Sequence, residues 1–305
     1  EGRVASYCCK TAPQGDTNAP QGDTNAPTGE DKHNFSTGKK DHQERCIVPH
    51  ISFSALKLWN ECPWKHKLVY LDGIKAFEGN EHTAFGTAVH STCEQLVENN
   101  IKNATEYFQE QFLKELQELP EDYELKKDLV VSMRAQGSML TGHILPSLKE
   151  YFGEYTLVSV EEKLYEDIEG YDDYNFKGYI DLVLKTADGK YHIIDWKTCS
   201  WGWDTRRKSE RMTTYQLTLY KHFFCIKHNI DPPHATTHFA LLKRTAKKNN
   251  IEIFKVTSGN KKTENALKLL NKSLYNLTNK NYIKNRMACQ GRFGPCEFLK
   301  TQHCN

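Results

Sequence analysis

No run of eighteen apolar residues occurs in the 305-residue chain, so no membrane-spanning helix is expected. Its first residues lack a basic stretch followed by an apolar one; secretion is therefore not expected, and an intracellular protein is. Charge of one sign is also missing. The formal net charge is +2, with 41 Lys and Arg against 39 Asp and Glu, so any nucleic-acid contact must come from local basic patches. No Gly-x-x-x-x-Gly-Lys-Ser/Thr occurs, so a nucleotide-driven motor would have to be a separate partner, a helicase or recombinase. Without a secretory leader, the ten cysteines argue against a disulfide scaffold and leave metal binding open. What the chain does have is 38% apolar residues, 11% of all residues being aromatic, which is enough for one large domain with appendages.

Residues 1–46 stand apart in composition. Gln14–Pro20 (QGDTNAP) repeats at once as Gln21–Pro27, and large apolar residues are nearly absent, so a disordered low-complexity tail is expected. The folded part is expected over 47–305. Ser52 or Ser54 is placed to cap a helix that runs through Leu56 and Trp59 towards Cys62-Pro63. Residues 84–94 (AFGTAVHSTCE) put His90 and Glu94 on one helix face. A helix is expected near 103–119 and a helical stretch over 121–152, with Gly137, Gly142 and Pro146 as candidate breaks. Tyr155–Tyr165 reads as a strand. Of its two carboxylates, Glu161 and Glu162, one is expected to face the site, although charged strand residues are usually solvated.

The stretch 176–197 (FKGYIDLVLKTADGKYHIIDWK) organises the rest. Two β-rich runs flank Asp188-Gly189, the signature of a tight hairpin. Asp181 and Asp195 interrupt these apolar runs, and a carboxylate buried in a strand needs a cation or several donors. Asp195 and Lys197 are two apart and share a strand face. Two carboxylates converging with an ammonium make a site for a hard divalent cation and an anionic substrate. Arg206, Arg207, Lys208 and Arg211 follow as a basic cluster suited to phosphate. Gln216 and Tyr220, at i and i+4, share a helix face and supply an amide and a phenol. Strands near 236–243 and 251–256 and a helix near 261–280 complete the pattern. Cys289, Cys296 and Cys304 close the chain and, with Cys62, make a four-thiolate set.

Taken in order, Cys62, Gly86-x-x-x-His90, Asp181, Asp195-x-Lys197 and Gln216-x-x-x-Tyr220 resemble the PD-(D/E)XK nuclease superfamily, in particular its RecB-like exonuclease branch. The resemblance implies an α/β fold: a restriction-endonuclease-like mixed sheet flanked by helices, with extra helices at the N-terminal side. It implies DNA, as single strands or duplex ends, for substrate. Mg²⁺ or Mn²⁺ would be held by His90, Asp181, Asp195 and the carbonyl of Trp196, with Lys197, Gln216 and Tyr220 completing the catalytic set. It also implies a structural [4Fe–4S] cluster on Cys62, Cys289, Cys296 and Cys304. The spacing here is looser than in that family, six and then seven residues between the last three cysteines, and a zinc site, with His303 as a substitute ligand, is the alternative. The expected activity is a DNA exonuclease of recombination, repair or viral DNA processing. A structure-specific endonuclease, a CRISPR-associated type and an inactive binding module remain open.

Overall fold

The computed structural model describes residues 49–74, 79–291 and 294–305. The tail expected over 1–46 lies outside them. Six strands form one mixed sheet: β1 (His50–Ser52), β2 (Tyr155–Asp167), β3 (Asn175–Thr186), β4 (Tyr191–Cys199), β5 (Ala235–Lys243) and β6 (Ile251–Val256). Their order is β1-β3-β4-β5-β6, with β2 lying along β3. β4 and β5 are parallel, joined by a helical crossover, while β2–β3, β3–β4 and β5–β6 are antiparallel. A two-stranded ribbon, β7 (Gln290–Gly291) and β8 (Gly294–Pro295), lies near the C-terminus.

Helices cover both faces of the sheet because the strands are apolar on both. On one face α1 (Phe53–Glu61), α8 (Arg211–His228) and α9 (Asn260–Thr278) pack on Phe176, Ile180, Val183, Ile193, Phe239 and Leu241. On the other, α3 (Glu81–Val97), α4 (Ala104–Gln117), α5 (Lys127–Thr141) and α6 (Ile144–Phe152) pack on Leu182, Leu184, Ile194, Trp196, Ala240 and Leu242. Two short helices, α2 (Pro63–His66) and α7 (Thr205–Ser209), fill the connections. Ser52 caps α1, its hydroxyl accepting from Ala55 N, as its position before the apolar run requires.

The helical stretch over 121–152 breaks at Gly142, but not at Gly137 or Pro146. Pro146 falls in the first turn of α6, where a missing N–H costs little. Gly137 lies inside α5 because the Phe108 ring occupies its missing side chain's place; a Cβ there would lie 2.0 Å from Phe108 Cζ. Among the described residues no helix is long and apolar enough to cross a membrane.

Candidate active site

The site forms where the sheet opens. Pairing between β3 and β4 covers only Leu182–Lys185 against Tyr191–Ile194, and β1 borders the same edge of β3 only at Asn175–Lys177. Between these two pairings lies a notch, and Asp181 sits in it. Its Oδ2 accepts from Trp196 N at 2.7 Å, so a side chain takes up the ladder hydrogen bond that the diverging strands no longer make.

The two-residue alternation changes phase at this point. Phe176 and Ile180 face the α8 side, yet beyond Asp181 it is Val183 that does so, while Leu182 and Leu184 face α3. β2 shifts in step: Leu164 belongs to the α8-side core and Val160 packs on the α3 side. The register places Glu161 opposite Asp181, and Glu161 has φ of +48°, the left-handed region that a residue with a Cβ rarely adopts. This irregularity turns Asp181 toward β4.

Side chains from both helical layers meet there. Asp195, 1% exposed, accepts from Gln216 Nε2 on α8 at 2.7 Å through Oδ1. Its Oδ2 lies 2.5 Å from Lys197 Nζ, an ion pair at hydrogen-bond distance. Gln216 Nε2 also reaches the Tyr220 hydroxyl at 3.4 Å. The Tyr220 ring closes over β3 because residue 178 is glycine: a Cβ there would stand 2.8 Å from Tyr220 Cε1. From α3, His90 Nδ1 lies 3.7 Å from Asp181 Oδ2, and the ring hydrogen-bonds the main chain of Trp196. The structure therefore brings His90, Asp181, Asp195, Trp196, Lys197, Gln216 and Tyr220 together.

Electrostatics follow from burial and neighbours. Burial pushes Asp181 up to about 6, against the pull of Lys197 and Trp196 N–H. Burial likewise pushes Asp195 up to about 6, opposed by Lys197 and helped by Asp181. Burial alone would lower Lys197, but Asp195 and Asp181 outweigh it and keep the ammonium charged. His90 is pulled down to about 4 by burial and then by Lys197, leaving a neutral imidazole with a lone pair. Burial drives the Tyr220 phenol upward, so it stays a donor.

Two further carboxylates belong to this group. Glu94, one turn after His90, shares a hydrogen bond with Glu161, and both are raised, chiefly by burial. The helical spacing of His90 and Glu94 signals the first; nothing in the residue pattern signals the left-handed turn at Glu161. Glu162 points the other way, paired with Lys227 and, at 3.0 Å, with His228. Among the described residues no three His, Cys, Asp or Glu side chains stand together as a ready-made metal cage. The basic cluster is divided: Arg207 stacks on Trp203 at 4.6 Å and Lys208 pairs with Glu252, while Arg206 and Arg211 are exposed.

Far from the notch in sequence, Cys62, Cys289, Cys296 and Cys304 line one small cavity with Trp64 and Phe298. All four thiols are half-buried, and no disulfide joins the cysteines described. Trp64 Nε1 donates to the carbonyl of His303 at 2.9 Å, and Asn285 Nδ2 to that of Glu61 at 2.8 Å.

No curated protein matches the chain. Among solved structures, an exonuclease candidate from Eubacterium rectale superposes with a TM-score of 0.53 at 14% identity, over 87% of this chain and 91% of that one, a likeness of fold. A second, SSO0001, reaches a TM-score of only 0.37 at 12% identity over 76% and 78%, too low to bear on the fold. The model of the PD-(D/E)XK nuclease superfamily matches residues 50–305, and with the mixed sheet and its notch in place the chain belongs to that superfamily.

Proposed function

We propose that the chain is a divalent-metal-dependent DNA exonuclease of the RecB-like branch, serving recombination, repair or viral DNA processing, with a structural [4Fe–4S] cluster on its four terminal-clamp cysteines. The observation that carries the nuclease reading is the convergence of Asp181, Asp195 and Lys197 in the β3–β4 notch, with His90 on one side and Gln216 on the other. The donor set fits a hard divalent cation: two buried carboxylates that desolvation disfavours as anions, a neutral imidazole, and the Trp196 carbonyl. When bound, Mg²⁺ or Mn²⁺ supplies Lewis-acid charge neutralisation at the scissile phosphate.

The chain's own groups do the rest. Lys197, held charged by Asp195, donates to a phosphoryl oxygen as negative charge develops on it and positions the attacking water. Gln216 fixes the rotamer of Asp195 through Oδ1, and the Tyr220 hydroxyl remains protonated to donate to Gln216 or to substrate. Trp196 N–H fixes Asp181. The reading of a cluster, with zinc the competing occupant, draws on the four cysteines lining one cavity, although no three of them stand together as a ready-made ligand group.

Anaerobically purified protein is to be incubated with end-labelled linear DNA and with closed circular DNA, in Mg²⁺ or Mn²⁺, beside Asp195→Ala and Lys197→Ala. The expected result is metal-dependent release of short products from the linear substrate alone, lost in both variants. Cleavage of the circle would make the enzyme an endonuclease, and no cleavage by folded protein would overturn the enzymatic reading.

A further inference from the structure

β4 outlasts its pairing with β3. Beyond Ile194 it walls the notch, carrying Asp195 and Lys197, and it ends at Cys199. The chain then turns through Ser200, Trp201, Gly202 and Trp203, and the two tryptophans have opposite fates. Trp203 is 8% exposed, packed on the rings of Phe239 and Phe254 with Arg207 stacked on it. Trp201 is 77% exposed, and among the described residues its indole makes no hydrogen bond or ring contact. The loop is nonetheless fixed on both sides of it. Ser200 O accepts from Thr245 N at 3.1 Å and from Thr245 Oγ1 at 2.6 Å, and Arg244 N donates to Cys199 O at 2.9 Å. Gly202, at φ +113°, lets the chain pass Lys243, whose Cδ would lie 3.1 Å from a Cβ there. Trp201 is held out by a pinned loop, not exposed by a frayed one.

Single exposed apolar residues on a protein surface are ordinary. An indole fixed at the end of the strand that carries Asp195 and Lys197, among cations, is a different matter. Arg206 and Arg211 are exposed on the segment that follows it, and Lys247 and Lys248 on the β5–β6 loop that Thr245 ties to Ser200. The acidic neighbours are committed to helix caps: Asp204 Oδ1 accepts from Arg207 N at 2.7 Å, and Glu210 accepts from Met212 N at 3.0 Å and Thr213 N at 2.6 Å. One flat ring ringed by positive charge suits a base and its phosphates. Trp201 is four residues past Lys197, at most about 14 Å of chain. That is the rise of about four stacked nucleotides at about 3.4 Å each.

We propose that Trp201 stacks on an unpaired base of the nucleic-acid strand seated in the notch, within about four nucleotides of the phosphate at Lys197, with Arg206 and Arg211 on the backbone beside it. The proposal rests on the nucleic-acid reading above and sharpens it: the substrate class is a single strand, or a duplex with an unpaired end. Bases paired inside a duplex are already stacked on one another and have no free face for the indole.

The test is equilibrium binding of the full chain, by fluorescence anisotropy in EDTA, to a labelled single-stranded oligonucleotide, an abasic strand of the same length and a blunt hairpin duplex. Without divalent ions no cleavage intrudes, so failure of the stacking residue and failure of the nuclease reading are separately visible. Trp201→Ala is expected to weaken single-strand binding roughly 5- to 150-fold, the loss of one base stack. Trp201→Tyr should keep most of that affinity. The abasic strand and the blunt duplex should bind wild type and Trp201→Ala alike. Arg206→Ala and Arg211→Ala should each flatten the salt dependence of single-strand binding by about 0.7 in log–log slope. Thermal melts confirm that each variant is folded. Unchanged single-strand binding by Trp201→Ala, equal losses on the abasic strand or the duplex, a tyrosine variant as weak as alanine, or no single-strand binding by wild type would each overturn the stacking role.

Discussion

At the scale of single residues, the site is a set of charges held in an arrangement each would avoid alone. Among the described residues Lys197 is the one cation beside Asp181, Asp195, Glu94 and Glu161, so its removal leaves Asp195 buried without its ion partner. Lys197→Ala is expected to lower kcat by roughly 10²–10³, the loss of one preorganised donor, with KM changed far less, as single-turnover cleavage would show. Glu161 is the opposite case, a carboxylate in left-handed backbone whose neighbour Glu94 is pushed up by burial and by Glu161 itself. Glu161→Gln should raise the unfolding free energy read from a urea melt by less than about 1 kcal/mol, water screening the exposed side chain. A fall in the midpoint would mean that the shared proton with Glu94 stabilises more than charge repulsion costs. His238 governs pH dependence away from the site. Burial, with His192 and Lys255 adding to it, pulls it down to about 3, below the ordinary histidine value near 6.5. The unfolded chain therefore binds this proton first, so the stability contribution is full above pH 6.5 and is lost as pH falls toward about 3. His238→Gln should flatten the acid limb of a plot of urea midpoint against pH between 4 and 6.5. An unchanged slope would assign that limb to His66 and His90, which burial also lowers to about 4.

At the scale of elements, what matters is how closely α8 sits on β3. Gly178 makes that approach possible, because Tyr220 Cε1 would stand 2.8 Å from any Cβ there. Gly178→Ala is expected to cost about 1–3 kcal/mol through overpacking and to slow cleavage by displacing Tyr220. Adding Tyr220→Leu should return most of the stability but none of the activity, a non-additivity that a double-mutant cycle by urea melts measures directly. The elements themselves were largely legible in the residue pattern. Asp188-Gly189 marks the hairpin, β-branched runs mark β3 to β6, and Ser52 marks the start of α1. Gly86-x-x-x-His90 and Gln216-x-x-x-Tyr220 lie on helices at spacings that put each pair on one face, and those faces meet at the notch. What the pattern does not carry is the interruption of its own period. Strand alternation predicts one face for Tyr179, Asp181 and Val183, and only the backbone turn at Glu161 moves them apart. The fates of Arg207 and Lys208 were equally hidden, because Trp203 and Glu252 reach them only through tertiary packing. Gly137 reads as a helix break for the same reason: its partner Phe108 is on another helix.

At the scale of the whole molecule, the two ends of the folded chain are clamped to each other. The end of α1 and the start of α2 meet the last twenty-odd residues through Trp64 to His303 and Ile283, Asn285 to Glu61, and the Lys65–Glu297 pair at 2.8 Å. The Lys284 ammonium lies 5.1 Å from the Trp64 ring centre. These contacts are few and partly exposed, and by themselves they oppose the entropy of closing a loop of more than two hundred residues between Cys62 and Cys289 only weakly. Four thiolates on one inorganic centre would close that loop covalently, by analogy with a long-loop disulfide worth about 2–5 kcal/mol. Cys304→Ser is therefore expected to release iron and acid-labile sulfide in equal amounts and to lower the thermal midpoint. Cleavage should fall only in proportion to the folded fraction, because the notch is built from other elements. Zinc analysis of the same preparation decides the occupant: zinc at one per chain, with neither iron nor sulfide, assigns a structural zinc site. A metal-free, fully folded protein with an unchanged midpoint would show that the hydrogen bonds and ion pairs around Trp64 suffice, and that the four cysteines bind nothing.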